Sequence, residues 1–143
     1  MKTLDTRYHG LVKYDEKEVI YFKNGIPGFE KLKKFILFSI PGNEVFRILH
    51  SLEDTDIGFT VISPFDVCSD YEFVLSSEDE DELEVKDQKD VLILNIVTLS
   101  SDVKKITVNL KAPLIINTDK ELGKQIILNK EEYLIKQPLF KEE

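Results

Sequence analysis

Along most of this chain apolar and polar residues alternate with the two-residue period of β-strands, and the pattern is densest between Asp90 and Asn117. From Val91 to Leu99 both alternating faces are apolar: Val91, Ile93, Val97 and Leu99 on one, Leu92, Leu94 and Ile96 on the other. A half-solvated strand would not show this, so a central strand covered on both sides is predicted here. The run is short for a helix, rich in β-branched residues and closed by the turn cluster Ser100, Ser101, Asp102. A return strand follows, with Ile106, Val108 and Leu110 on its packed face, and Pro113 marks a bulge or an edge before Leu114, Ile115 and Ile116 resume.

The same pattern places the other elements. Thr3 to Tyr14, broken by Gly10, reads as an edge strand with a bend, and Glu18 to Phe22 as the next strand. Gly25, Pro27 and Gly28 define a structured loop between Phe22 and Glu30, and one helical turn is expected over Glu30 to Lys34. Lys34 to Ile40, Val45 to Leu52 and Ile57 to Ser63 read as strands, the last two as a hairpin over the acidic turn Glu53 to Asp56. Tyr71 to Leu75 is predicted as another short strand, and Ser76 or Ser77 as the cap of a short or frayed helix over Glu78 to Glu84, where six acidic side chains repel one another. Gly123 suits a left-handed hairpin position before a strand over Lys124 to Leu128. Tyr133 and Leu134 are expected to pack on the barrel, and residues beyond Pro138 to lack fixed order. Nine or ten short strands with at most one short helix define an all-β fold, a small single-domain antiparallel barrel or a sandwich spanning residues 1–143.

Charge narrows the function. With 27 acidic against 19 basic residues the net charge is -8, so phosphate backbones are repelled and basic proteins attracted. The sole cysteine, Cys68, excludes an intrachain disulfide framework and suits a reducing cytoplasm; with no apolar leader and no run long enough to span a bilayer, neither export nor a membrane partner is expected.

Candidate chemistry is sparse. His9 and His50 have no metal-ligand spacing to Cys68 or to each other, His50 falls on the apolar face of its strand, and the acidic neighbours of Cys68 raise a thiol pKa rather than lower it. Asp79 to Asp90 lacks the glycine of a calcium loop, and the Gly25 and Gly28 spacing fits no nucleotide motif. No catalytic residue, metal or cofactor is therefore expected. Small barrels also serve as nucleic-acid readers, but the aromatics Phe65, Tyr71 and Phe73 are surrounded by Asp66, Asp70 and Glu72 instead of a basic groove. An acidic protein-binding module ranks above that alternative.

Taken in order, FKNGIPGFE (22–30), LHSLED (49–54), FTVISPF (59–65), DYEF (70–73), NIVT (95–98), VNLKAPLIIN (108–117) and GKQIIL (123–128) resemble the FliW flagellar assembly factor family across nearly the whole chain. The chain departs from the family at His50, where glutamine is commoner, and in the acid density of Glu78 to Glu84. The resemblance implies a non-enzymatic barrel of the bacterial cytoplasm with two alternative protein partners. One is flagellin; the other is the RNA-binding translational repressor CsrA, which the free factor would bind and so relieve repression of flagellin translation. An acid surplus suits a basic RNA-binding partner, speeding encounter and orienting docking over about 8 Å at physiological salt. The expected interface is an acidic, aromatic-edged surface of Glu53, Asp54, Phe65, Asp70, Tyr71 and Glu72, with Glu78, Asp79, Glu80 and Asp81 supplying field more than contact.

Overall fold

The structure, a computed structural model, describes residues 1–140. Seven strands close into a barrel: β3 (Ile20–Phe22), β4 (Lys34–Ile40), β5 (Asn43–Ser51), β6 (Gly58–Ile62), β7 (Val91–Thr98), β9 (Leu114–Asn117) and β10 (Leu122–Gln125). Neighbours run antiparallel in the order β7-β6-β5-β4-β3 and β10-β9, and β9 returns to pair with β7 over Val91↔Asn117 to Leu94↔Leu114. The one parallel pairing is β3 with β10, through Leu122↔Tyr21 and Gly123↔Phe22, and it closes the ring. Outside it lie a hairpin of β1 (Lys2–Thr6) and β2 (Gly10–Tyr14) and a short extension of β8 (Thr107–Val108) and β11 (Gln137–Pro138) carried on β7.

The predicted two-sided burial of β7 is observed, and it arises because the sheet separates two cores. Leu92, Leu94 and Ile96 point with Phe22, Phe35, Leu49 and Leu114 into one cluster, while Val91, Ile93 and Val97 face a second built with Ile62, Tyr71, Leu83, Val108, Leu110 and Tyr133. The second cluster exists because the long excursion between β6 and β7 and the C-terminal segment fold back over one flank of the barrel. Each fully buried aliphatic or aromatic side chain contributes about 1.5–3 kcal/mol, so neither layer needs a covalent staple.

Several local expectations are corrected. Thr3 to Tyr14 is a hairpin of two strands, because Gly10 takes φ +69° and reverses the chain instead of bending it. Glu30 to Lys34 forms a turn without helix; Gly25, at φ +65°, packs so close to the Glu30 backbone that a Cβ would stand 2.6 Å from its Cα. Gly123 is not left-handed. It sits inside β10, and the positive φ falls on Glu121. The return strand β8 is only two residues long, and the principal partner of β7 on that side is β9. Tyr133 is buried as expected, but Leu134 is exposed, and so is Ile135 after it. Order continues past Pro138: Leu139 donates its backbone N–H to Ile106 O, while the rest of the tail, 141–143, lies outside the described residues.

Candidate functional site

The excursion between β6 and β7 carries most of the predicted interface. Ser63 caps a 3-10 turn over Pro64–Asp66 by accepting from Phe65 N–H, and Cys68 N–H donates back to Pro64 O. The turn leaves the Phe65 ring half exposed, edge-on to Tyr71 at 6.3 Å between centroids. Asp66, Asp70 and Glu72 are exposed around it. Cys68 Sγ donates to Asp70 at 3.0 Å, and this hydrogen bond to the carboxylate raises the thiol pKa and lowers that of Asp70, in the direction read from the sequence.

Tyr71 itself is not a surface residue. It is 3% exposed, its hydroxyl donates to Leu110 O at 2.7 Å, and its ring lies 4.5 Å from that of Tyr133. Burial pushes its pKa up to about 12. The residue anchors the excursion to the barrel, so it shapes the acidic surface from beneath. Tyr133 repeats the device one step on: its hydroxyl accepts from Glu72 N–H at 2.8 Å.

The acid-dense stretch forms one short helix, α1 (Ser77–Glu82), capped by Ser76, whose hydroxyl accepts from Asp79 N–H at 3.0 Å. Three features hold it in place against its own repulsion. Lys124, on β10, reaches Asp79 Oδ1 at 2.6 Å and Glu82 Oε2 at 2.7 Å. Leu83 is buried in the outer core, and Asn117 Nδ2 donates to Leu83 O and Glu84 O at the helix end. The four carboxylates expected to act together therefore divide. Asp79 is neutralised by Lys124, whereas Glu78, Glu80 and Asp81 are exposed and form no ion pair among the described residues. Sequence alone offered no sign of the lysine, which lies 45 positions away.

Glu53 and Asp54 lie apart from this surface. They occupy the β5–β6 turn, while Phe65 follows the far end of β6, about 16 Å away for a five-residue strand. Glu53 Oε1 accepts from the backbone N–H groups of Lys33 at 2.5 Å and Lys34 at 2.9 Å, and these bonds hold its carboxyl below the usual range. Its local role is to clamp the loop before β4. The predicted six-residue surface is thus two patches at opposite ends of a hairpin, joined by no direct contact.

Two grooves flank α1. One, of about 190 Å³, lies between the Gly25–Pro27 loop and β10 and includes Tyr21, Lys23 and Leu122. The other, of about 280 Å³, is walled by Phe73, Val74, Leu75, Val85 and Ile93 with Glu80 at its rim. Neither was legible in the sequence. Val74, on the second, is 93% exposed and is the apolar residue the sequence reading left out of the interface. On the opposite flank His50 is buried with Nδ1 2.9 Å from Ser51 O, in edge contact with His9 at 6.4 Å between centroids. Burial and the nearby His50 lower the His9 pKa. Among the described residues no cluster of three His, Cys, Asp or Glu groups could hold a metal ion.

Fold and surface define a small closed β-barrel whose outer layer presents exposed carboxylates around exposed apolar groups. The comparisons with known proteins bear on the fold and the family. A family model described as FliW protein matches residues 3–139, and the chain belongs to the FliW family. It is 56% identical to the flagellar assembly factor FliW of Clostridium botulinum strain Okra over 140 residues, covering 98% of each chain. It is 53% identical to that of Clostridium tetani, covering 98% of this chain and 97% of the relative. A crystal structure of the flagellar assembly factor FliW superposes with a TM-score of 0.91 at 36% identity, covering 99% of both chains.

Proposed function

We propose that this protein is a non-enzymatic flagellar assembly factor of the cytoplasm that binds flagellin and, when free of it, binds CsrA and relieves its repression of flagellin translation. The observation that carries the reading is the exposed acid of the excursion between β6 and β7: Asp66, Asp70 and Glu72, and further along it Glu78, Glu80 and Asp81 on α1, all face solvent and form no ion pair among the described residues. Such a surface suits a partner that presents lysines and arginines, and RNA-binding regulators do. Phe65, half exposed on its capped turn, supplies an apolar contact within the field, and Tyr71 positions it.

In this scheme the field of α1 governs encounter, and the Phe65, Asp70 and Glu72 patch governs residence. Glu53 and Asp54, at the other end of the β5–β6 hairpin, offer a second site for the second partner. Replacing Glu78, Glu80 and Asp81 by Gln or Asn should slow association with CsrA several-fold and flatten its salt dependence with little change in dissociation, whereas Phe65→Ala should mainly speed dissociation. Stopped-flow rates over a salt series check this. A triple variant with parental association rates at low salt would remove α1 from the mechanism, and binding of the isolated protein to single-stranded RNA at physiological salt would replace the whole reading.

A further inference from the structure

Tyr71 to Leu75 reads as a strand in the sequence and is not one in the structure. Its burial nevertheless keeps the strand period, with Tyr71 buried, Phe73 and Leu75 half-buried, and Glu72 and Val74 exposed. What is missing is the ladder. Hydrogen bonds satisfy the chain as far as Glu72, whose N–H donates to Tyr133 Oη and whose carbonyl accepts from Lys130 Nζ, and they resume at Ser76, whose carbonyl accepts from Glu80 N–H. Between them, Phe73, Val74 and Leu75 have no backbone partner among the described residues.

We propose that Phe73–Leu75 is a docking edge on which an extended peptide of alternating branched-apolar and basic residues adds as a strand, one apolar side chain entering the groove beside Val74. Three observations converge on that occupant. The N–H and C=O groups without a backbone partner, those of Phe73 and Leu75 on one edge and of Val74 on the other, can pair with an extended chain laid along one edge, whereas a helix satisfies its own backbone and could not use them. The adjoining groove, about 280 Å³ with walls from Phe73, Leu75, Val85 and Ile93, accepts a branched aliphatic group, while the aliphatic stem of the neighbouring basic residue, on the other face of the added strand, covers Val74, 93% exposed. Charge fixes the flanking residues of the peptide: Glu80 stands at the groove rim and Glu72 precedes the edge, both exposed, so lysine or arginine on either side of the apolar residue is favoured. A second copy of this chain is disfavoured, because each copy carries a net charge of -8 and the same acidic rim. The proposal does not depend on the partner-switch reading.

The test uses the full chain and a fluorescent nine-residue peptide of alternating lysine and valine, acetylated and amidated, with two N-methylated versions, each blocking the N–H groups of one edge. N-methylation leaves charge and side chains unchanged. Strand addition requires one methylated version to lose at least tenfold in affinity while the other binds nearly as the parent does. Val74→Lys should lose at least tenfold with an unchanged melting temperature, because the side chain it replaces touches almost nothing. In hydrogen exchange the peptide should protect either the Val74 amide or those of Phe73 and Leu75, since alternate amides face opposite edges. The proposal is overturned if both methylated versions bind like the parent, if Val74→Lys binds within twofold, or if light scattering shows a dimer of this chain that Val74→Lys dissolves.

Discussion

A Cβ placed on Gly123 would stand 2.5 Å from Cζ of Phe22, and the two residues are register partners in the one parallel pairing of the barrel. Phe22 is fully buried and packs edge-on against Phe35, with centroids 5.2 Å apart, so it cannot swing aside. The seam closes only because one strand has no side chain there.

Gly123→Ala is therefore expected to destabilise by about 1–3 kcal/mol, the usual cost of overpacking a filled core. Urea unfolding checks it: the midpoint should fall with the slope retained. A midpoint equal to the parent's would show that the seam has room.

Lys124→Met should release α1. The ammonium is mostly enclosed between Asp79 and Glu82, and its loss leaves five carboxylates from Glu78 to Glu82 with no cation among them. A loss of about 1 kcal/mol is expected, with weaker helical circular dichroism. Hydrogen exchange at Glu80 and Leu83, whose amides donate to Ser76 O and Asp79 O, should quicken before that of β7. Unchanged protection of those two amides would count against the clamp.

The buried hydroxyl of Tyr71 gives an alkaline signature. Its folded pKa is raised to about 12 from an ordinary 10, so its contribution is fully present below pH 10 and is lost as pH rises through 12. Two units correspond to about 2–3 kcal/mol. Tyr71→Phe should cost roughly 1–2 kcal/mol at neutral pH, by leaving Leu110 O unsatisfied, and the deficit should shrink and reverse between pH 10 and 12. A constant deficit across that range would mean that the hydroxyl titrates normally.

Glu53 gives the opposite sign. Backbone N–H groups depress its folded pKa, so its contribution is present above the unfolded value and is lost as pH falls through the folded one. Glu53→Ala should cost about 1 kcal/mol at pH 7 and nothing in acid. Thermal melts of both proteins from pH 7 to pH 2 should converge, and a gap that persists at pH 2 would assign the loss to packing.

Wherever physics is local, the sequence carried the structure. Lys34–Ile40 was legible to the residue, β7 nearly so, and the β5–β6 hairpin followed from its acidic turn, because side-chain period and turn chemistry act within a few positions. A cap at Ser76 or Ser77 was legible too, and the structure takes Ser76; so was the raised pKa of Cys68 beside Asp70. The family was legible from short motifs in order.

Contacts across the chain were decided only by the tertiary structure. Tyr71 to Leu75 has the strand period, yet no neighbour among the described residues lies in register to supply a ladder, and nothing local can say whether one will. Tyr71 read as an exposed aromatic because its neighbours are acidic; a carbonyl 39 residues away draws it inward. Gly123 read as a turn glycine because a glycine's tolerance of φ > 0 is a local property, while its tolerance of a phenylalanine ring is not. Glu53 and Phe65 read as one surface because twelve positions separate them along the chain, but a strand running straight between them puts them at opposite ends of the barrel. The division of the acid followed likewise: Lys124, brought in by barrel closure, neutralises Asp79 and leaves Glu78, Glu80 and Asp81 to face solvent.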